Sequence, residues 1–175
     1  MPLYDFAFAD SARFTTWFLL SQTWPSMYRV AEQELPKSGL SPEQIKVLWL
    51  CTEYPPPLKP AEISRYLFRK SHSVAGLLDR MERDGLIRRV PKRKGQPYTE
   101  IQITDKGREL IEPAKDMSIR LIADLMSPLS NDELEQLQGL LRKLREHALE
   151  RLHMELRPWS GDGWGPARNV DCKAL

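Results

Sequence analysis

The stretch over residues 71–104 decides the fold, and it reads SHSVAGLLDRMERDGLIRRVPKRKGQPYTEIQIT. Apolar residues recur in it at intervals of three or four, at Val74, Leu77, Leu78 and Met81. This spacing predicts an α-helix with one buried face, capped by Ser71 and ended at Gly85. The β-prone runs LIRRV and YTEIQIT follow, with the turn-forming PKRKGQP between them, so we predict a two-stranded hairpin directly after the helix.

Three further helices are predicted before this stretch. Aromatic and apolar side chains at helical spacing predict the first over about residues 10–35, with Pro25 expected to kink or divide it. The segment 41–44, Ser-Pro-Glu-Gln, supplies an N-cap, a proline at the first helical position and a capping-box glutamine for the second. A short third helix begins near Pro60, so that the third and fourth helices form a helix-turn-helix.

Two long helices are predicted after the hairpin. Thr104 or Asp105 caps the fifth, which runs to about Met126, and Pro113 is expected to bend it. Ser130 opens the sixth through a capping box. The sixth carries an apolar stripe over two heptads, at Leu134, Leu137, Leu141, Leu144 and Ala148. Such a stripe is typical of a helix–helix seam.

The resulting fold class is mainly α. It is a winged helix-turn-helix core with a two-stranded β-hairpin wing, flanked by N- and C-terminal dimerisation helices. We assign residues 1–40 to an N-terminal helical dimerisation segment and residues 41–104 to the winged helix-turn-helix. Residues 105–156 form a C-terminal helical dimerisation segment, and the Gly- and Pro-rich residues 157–175 form an irregular tail.

Positive charge is concentrated in the centre of the chain. The net charge of the whole sequence is only +2. Residues 59–94 hold 11 Lys and Arg against 4 Asp and Glu, a net charge of +7, whereas residues 1–58 carry −2 and residues 95–175 carry −3. A basic block confined to the helix-turn-helix and its hairpin is what a phosphate-binding surface requires.

The outward face of the fourth helix supplies the candidate DNA contacts. Its N-terminal end, residues 71–76, is expected to meet base edges in the major groove. The candidate DNA-binding residues are Arg69, Lys70, Ser71, His72, Ser73, Gly76, Arg80, Arg88, Lys92, Arg93 and Lys94. Three alternatives stay open: Arg80 can pair with Asp84 or another acidic residue of its own helix, His72 can be merely solvated, and residues 92–94 can be an ordinary solvated turn.

Three motifs are informative together: SHSVAGLLDRMERDGLIRR over residues 71–89, IQITDKGREL over 101–110 and GLSPEQIKVLWL over 39–50. They closely resemble the multiple antibiotic resistance regulator (MarR) family, and with the matching helix order the likeness extends over about residues 10–150. The resemblance implies a transcriptional regulator, of the repressor type, that binds duplex DNA at a pseudo-palindromic operator. It implies an obligate homodimer held by the first and last helices. It also implies frequent control by small, often aromatic ligands bound between the dimerisation and DNA-binding parts.

Two departures from the family pattern lie at the expected DNA contacts. The family often carries Thr-Arg where this chain has Ala75-Gly76, which weakens the expectation of a strong direct base contact there. The family's wing usually has Asp-x-Arg at its tip, where this chain has Lys-Arg-Lys-Gly. Arg93 therefore corresponds to the wing arginine by position only.

Aromatic and apolar residues on the first two helices are the candidates for a small-molecule site: Trp17, Trp24, Met27, Tyr28 and Trp49. A cavity lined by them would suit an aromatic effector. The same stripe is also what a plain core or a dimer interface requires, and both interpretations stay open.

No catalytic residue, metal site or cofactor is predicted, because the chain lacks G-x-S-x-G, a phosphate-binding glycine loop and H-E-x-x-H. Glu146, Glu150 and His153 have metal-ligand spacing on the sixth helix, but charges on such a helix are usually its solvated face. Cys51 ends the apolar run IKVLWLC and is expected to be a buried hydrophobe, with redox sensing as the alternative. The sequence assigns no role to Cys172.

The alternative function is a winged-helix module that binds an acidic protein partner through the basic block. Only binding to phosphates requires that affinity for random duplex DNA falls steeply with salt concentration.

The sequence also predicts the surroundings of the protein. No apolar run reaches the ~18–20 residues that span a bilayer. The N-terminal residues lack the basic and apolar regions of a secretory signal. We therefore expect no membrane partner and a cytoplasmic, nucleoid-associated protein.

Overall fold

The structure, a computed structural model, describes residues 11–54, 57–91 and 98–154. Within these residues the elements are α1 (Ala12–Glu34), a short 3-10 helix (Leu35–Ser38), α2 (Pro42–Glu53), α3 (Pro60–Leu67), α4 (Ser71–Arg83), β1 (Ile87–Pro91), β2 (Tyr98–Ile103), α5 (Asp105–Met126) and α6 (Asn131–Arg151). Every predicted helix and strand is present in the predicted order. The predicted fold class, a mainly α winged helix-turn-helix with a two-stranded wing, is confirmed.

Most helix ends follow the predicted capping residues. The Ser41 hydroxyl accepts from the N–H of Gln44, and the Gln44 side chain accepts from the N–H of Ser41, so the capping box of α2 is complete. Thr104 caps α5 through the N–H of Gly107. Each such cap contributes about 1 kcal/mol. The predicted cap of α4 is wrong: the extended backbone ends at Lys70, so Ser71 is already the first helical residue.

The long helices α1 and α5 continue through their internal prolines. Pro25 lies inside α1 and Pro113 inside α5, and both prolines are on exposed faces. A proline frees one carbonyl of the preceding turn, and water can satisfy that carbonyl on an exposed face. The alternative that Pro25 divides the first helix is therefore wrong.

The core of the described residues lies between α2, α3, α4, the hairpin and the first half of α5. The most deeply buried large side chains are Leu40, Val47, Leu48, Ile63, Val74, Leu78, Met81, Ile87 and Ile111. The predicted stripe of α4 is confirmed, since its four apolar residues are all buried. Burial of such a side chain contributes about 1.5–3 kcal/mol. The core therefore fixes α4 by one face and leaves the opposite face outward.

The hairpin is attached to this same core. Strands β1 and β2 pair antiparallel, with Ile87 opposite Ile103 and both side chains buried. The N–H of Ile101 donates to the carbonyl of Leu58 at 2.8 Å, so the segment before α3 is bonded to β2. The wing and the helix-turn-helix consequently form one packed unit.

The helices α1 and α6 leave large apolar side chains uncovered. Helix α1 has no buried residue, and α6 buries only Leu149. The exposed apolar residues of the two helices include Phe14, Trp17, Leu19, Leu20, Trp24, Leu140, Leu141 and Leu144, which we call the flanking-helix surface. Trp17, Leu20 and Leu144 among them line one cleft, and exposed apolar side chains of this size are typical of an interaction surface. None of the described helices combines the length and apolar character needed to cross a bilayer.

Candidate nucleic-acid interface

The first turn of α4 is exposed on the face opposite the core. Ser71, His72, Ser73 and Ala75 are exposed and Gly76 is half-buried, while Val74 between them is buried. The first N–H groups of a helix have no carbonyl partner within the helix, and its N-terminus carries partial positive charge. This end of α4 therefore offers small polar side chains and backbone donors to a ligand in front of it.

Arg80 extends along the same exposed face toward the helix N-terminus. A Cβ placed on Gly76 would lie 3.8 Å from Arg80 Nη1, so the guanidinium rests one turn back, over the glycine. In the part of the chain that the structure describes, Arg80 forms no ion pair with Asp84 or with any acidic residue of α4, and Asp79 and Glu82 pair with Arg89 of β1. The charge of Arg80 is thus available on the outer face of α4.

The two arginines of β1 have different surroundings. Arg88 is exposed, and its Nε and Nη2 donate to Gln102 Oε1 at 3.0 and 2.8 Å. A neutral amide does not cancel the positive charge of the guanidinium. Arg88 therefore presents a positive charge on the wing, held in position by Gln102. Gln102 is fixed in turn because its Nε2 donates to Glu100 Oε1 at 3.1 Å.

Arg89 instead fastens the wing to α4. Its Nη2 lies 2.6 Å from Asp79 Oδ1, its Nη1 3.4 Å from Glu82 Oε2, and its side chain is only 17% exposed. The backbone N–H of Arg89 also donates to Glu82 Oε1 at 2.9 Å. Arg88 is one of the predicted DNA contacts, whereas Arg89 is not. The alternation of side chains along a strand is the pattern that separates their roles.

The two basic residues just before α4, Arg69 and Lys70, also have different surroundings. Lys70 is exposed. Arg69, predicted as a DNA contact, lies 2.9 Å from Glu43 Oε1 through its Nη2. The sequence gives no indication of this pair, because Glu43 is on α2, far away along the chain. Lys92, Arg93 and Lys94 lie outside the described residues, so their role stays a prediction.

The candidate ligand-binding residues have contacts in three places. Trp17 lines a cleft of about 310 Å³ between α1 and α6, together with Leu20 and Leu144. Trp24 and Tyr28 lie together, their ring centroids 6.0 Å apart. Trp49 lies beneath Lys115 Nζ, 5.7 Å from its ring centroid. Met27 is half-buried on α1.

The ring pair on α1 is in contact with a cation of α2. Lys46 Nζ lies 4.6 Å from the Tyr28 ring centroid and 5.7 Å from that of Trp24. Burial lowers the pKa of Lys46, with Arg69 acting in the same direction and Glu43 in the opposite one. The contacts of Tyr28 therefore join α1 to α2 at the edge of the DNA-binding unit.

The spacing argument for a metal site fails at the end of α6. The helix ends at Arg151, and His153 follows it with a φ of +52°, so it does not continue the helical face of Glu146 and Glu150. No group of three His, Cys, Asp or Glu side chains among the described residues is placed to hold a metal ion.

Cys51 is half-buried, whereas a fully buried side chain was predicted. Burial raises the pKa of the Cys51 thiol to about 12, so the thiol stays protonated at neutral pH. In a Cys172→Ser variant at pH 8, we expect Cys51 to react with a thiol reagent at least ~100-fold more slowly when native than when unfolded in guanidinium, because only the thiolate attacks. The measurement is the reaction rate in each state. Equal rates would restore the redox-sensing alternative.

Comparison with known proteins finds similar sequences and similar folds among transcriptional regulators. A model of the MarR family matches residues 38–95, which include α2, α3, α4 and β1. The chain is similar to the HTH-type transcriptional regulator PecS of Dickeya dadantii (strain 3937), with 30% identity over 90 residues, 51% of this chain and 54% of that protein. The match thus spans about half of the length of PecS.

Two solved structures resemble the chain over most of its length. The organohalide-sensing RdhR-CbdbA1625 transcriptional regulator in its 2,4-dichlorophenol-bound form has a TM-score of 0.70 and 25% identity, covering 89% of this chain and 98% of that chain. The S. aureus MepR–DNA complex has a TM-score of 0.68 and 25% identity, covering 81% of this chain and 98% of that chain.

Proposed function

We propose that the chain is a member of the MarR family: a transcriptional regulator that binds duplex DNA as a homodimer and catalyses no reaction. One observation carries the proposal: α4 exposes its N-terminal turn beside a basic hairpin, and both belong to one packed unit. The N-terminal turn of α4 enters the major groove, with base contacts from His72 and Ser73 and phosphate contacts from Lys70 and Arg80. Arg88 and the wing tip contact the adjacent backbone.

The flanking-helix surface supports the homodimer. Its exposed residues include Trp17 at 69%, Leu140 at 59% and Leu144 at 52% exposure. Pairing this surface with a second copy removes these side chains from water. The two copies of α4 then stand about one DNA turn (~34 Å) apart and each binds one half of a pseudo-palindromic operator. Binding of this kind blocks a promoter, so the protein acts as a repressor. It acts in the cytoplasm, associated with the nucleoid.

A small aromatic effector is the second part of the proposal. The similar RdhR-CbdbA1625 regulator is named in a form bound to 2,4-dichlorophenol. In this chain Trp17, Trp24, Met27, Tyr28 and Trp49 are the candidate contacts, and the Trp24–Tyr28 pair lies where α1 meets α2. An effector bound there favours dimers in which the two copies of α4 are wrongly spaced for DNA.

Replacing Lys92, Arg93 and Lys94 together with alanine tests the proposed interface. We expect affinity to fall alike for all duplex sequences, and the slope of log affinity against log salt to flatten by about 0.9 for each phosphate that the variant no longer neutralises. The measurement is a titration of random and selected duplexes at several salt concentrations. His72→Ala is the matched control, because removing a base contact changes sequence preference and leaves the slope as it is.

The outcomes separate the two functions. An unchanged salt slope in the triple variant would remove the wing from the interface. A wild-type chain that shows no salt-dependent affinity for random duplex DNA would favour the acidic protein partner instead.

A further inference from the structure

One carboxylate oxygen joins α1 to the turn in front of α4. Glu43 Oε1 accepts a hydrogen bond from the Tyr28 hydroxyl and lies 2.9 Å from Arg69 Nη2. Tyr28 is on α1, Glu43 on α2 and Arg69 between α3 and α4. We propose that Glu43 couples the position of α1 to the DNA-contacting end of α4, with Arg69 as a positioning residue and not a phosphate contact. This inference rests on the proposed function, and it assigns the regulation of DNA binding to the Glu43 carboxylate and its two partners.

Glu43 is itself held firmly in place. It lies in the first turn of α2, directly inside the capping box formed by Ser41 and Gln44. The N-terminal end of a helix stabilises a carboxylate, and the Glu43 side chain is only 20% exposed. Because the backbone at this point is fixed, the carboxylate is a stationary anchor to which both partners can be tied.

Arg69 connects this anchor to α4. Its N–H donates to the carbonyl of Ser64 in α3 at 3.1 Å, and only Lys70 separates it from the first residue of α4. The Arg69 side chain is 50% exposed, and its Nη2 is held 2.9 Å from Glu43 Oε1. Holding the guanidinium at Glu43 therefore restrains the turn that sets where α4 begins.

Tyr28 connects the anchor to α1. Partial burial, and next the adjacent Glu43 carboxylate, raise the pKa of Tyr28, so its hydroxyl stays a hydrogen-bond donor. Its ring is held as well, under Lys46 Nζ at 4.6 Å. Through its contacts with Glu43 and Lys46, Tyr28 holds α1 against α2. A movement of α1 that withdraws Tyr28 changes the hydrogen bonding of the oxygen that Arg69 binds.

The expected coupling is moderate, because the ion pair is partly solvated. Allosteric couplings change affinity by about 5–150-fold, and a half-exposed pair belongs at the low end of that range. We therefore expect effects of about fivefold from removing either partner of Glu43.

The first experiment needs no DNA. Hydrogen–deuterium exchange over residues 69–76 is measured for the wild type, Tyr28→Phe, Glu43→Gln and the control Glu109→Gln, which changes an exposed carboxylate on α5. We expect exchange about threefold faster or more in Tyr28→Phe and Glu43→Gln, and no change in the control. Unchanged exchange in both variants would overturn the coupling. If the wild-type chain does not bind duplex DNA, the proposed function fails, yet this result still decides the coupling.

The second experiment separates positioning from phosphate contact. In Arg69→Gln we expect operator affinity about fivefold lower with an unchanged salt slope, whereas removing one phosphate contact from each subunit would flatten the slope by about 1.8. The double variant with Glu43→Gln should lose no more affinity than either single variant, since both break one link. A flattened slope, or additive decreases in affinity, would show that Arg69 binds phosphate independently of Glu43.

Discussion

Gly107→Ala is expected to lower the free energy of unfolding by about 3 kcal/mol or more, at the upper end of what overpacking costs. A Cβ at this position would stand 2.3 Å from the carbonyl oxygen of Leu86 and 2.8 Å from Ile103 Cγ1. The carbonyl cannot simply move away, because it accepts from the N–H of Thr104 at 3.1 Å, and the Thr104 hydroxyl donates to the adjacent carbonyl of Gly85 at 2.6 Å. The start of α5 would have to separate from the base of the wing.

Urea unfolding followed by circular dichroism measures this effect, and Gly139→Ala is the matched control. Gly139 lies in α6 with no atom within 4 Å of an added Cβ. There alanine should stabilise the protein by about 0.5–1 kcal/mol, since it favours the helix over the unfolded chain. A Gly107→Ala protein as stable as the wild type would mean that α5 does not approach Leu86 this closely.

Gly107 also shows which features of the fold a local sequence pattern predicts and which it does not. The Thr104 cap of α5 was predicted because capping is local: the hydroxyl and the N–H it accepts from are three residues apart. The need for glycine at 107 comes from Leu86, which is brought there by the hairpin. The buried stripe of α4 was predicted for the same local reason, through its periodicity.

The charged residues of the candidate site divide in the same way. The exposure of His72 and Ser73 follows from the helical period and was predicted. The pairing of Arg69 with Glu43 depends on how α2 packs beside the turn, which no local pattern encodes. A basic block in the sequence therefore identifies the surface, but it does not separate cations that face outward from those that hold the surface together.

Leu144→Glu is expected to dissociate the proposed dimer and lower operator affinity at least ~100-fold. Leu144 is 52% exposed in one chain and lines a cleft with Trp17 of α1. Because the side chain is already exposed, the single chain should fold normally. In a two-fold symmetric interface the change is made twice, and two carboxylates placed in an apolar contact lose their hydration. A ~100-fold rise in the dissociation constant of the operator complex corresponds to about 2.8 kcal/mol of binding free energy.

Sedimentation velocity at micromolar concentration, together with operator titration, checks this expectation. Arg142→Gln is the matched control: it shifts the net charge by the same one unit, two residues away, and residues so spaced point to nearly opposite sides of a helix. The control should remain dimeric. Loss of the dimer and of operator affinity together in Leu144→Glu would show that two copies of α4 must be joined to bind tightly. A folded Leu144→Glu protein that stays dimeric would exclude the flanking-helix surface as the interface, and the spacing of the two copies of α4 would then have to be set by another part of the chain.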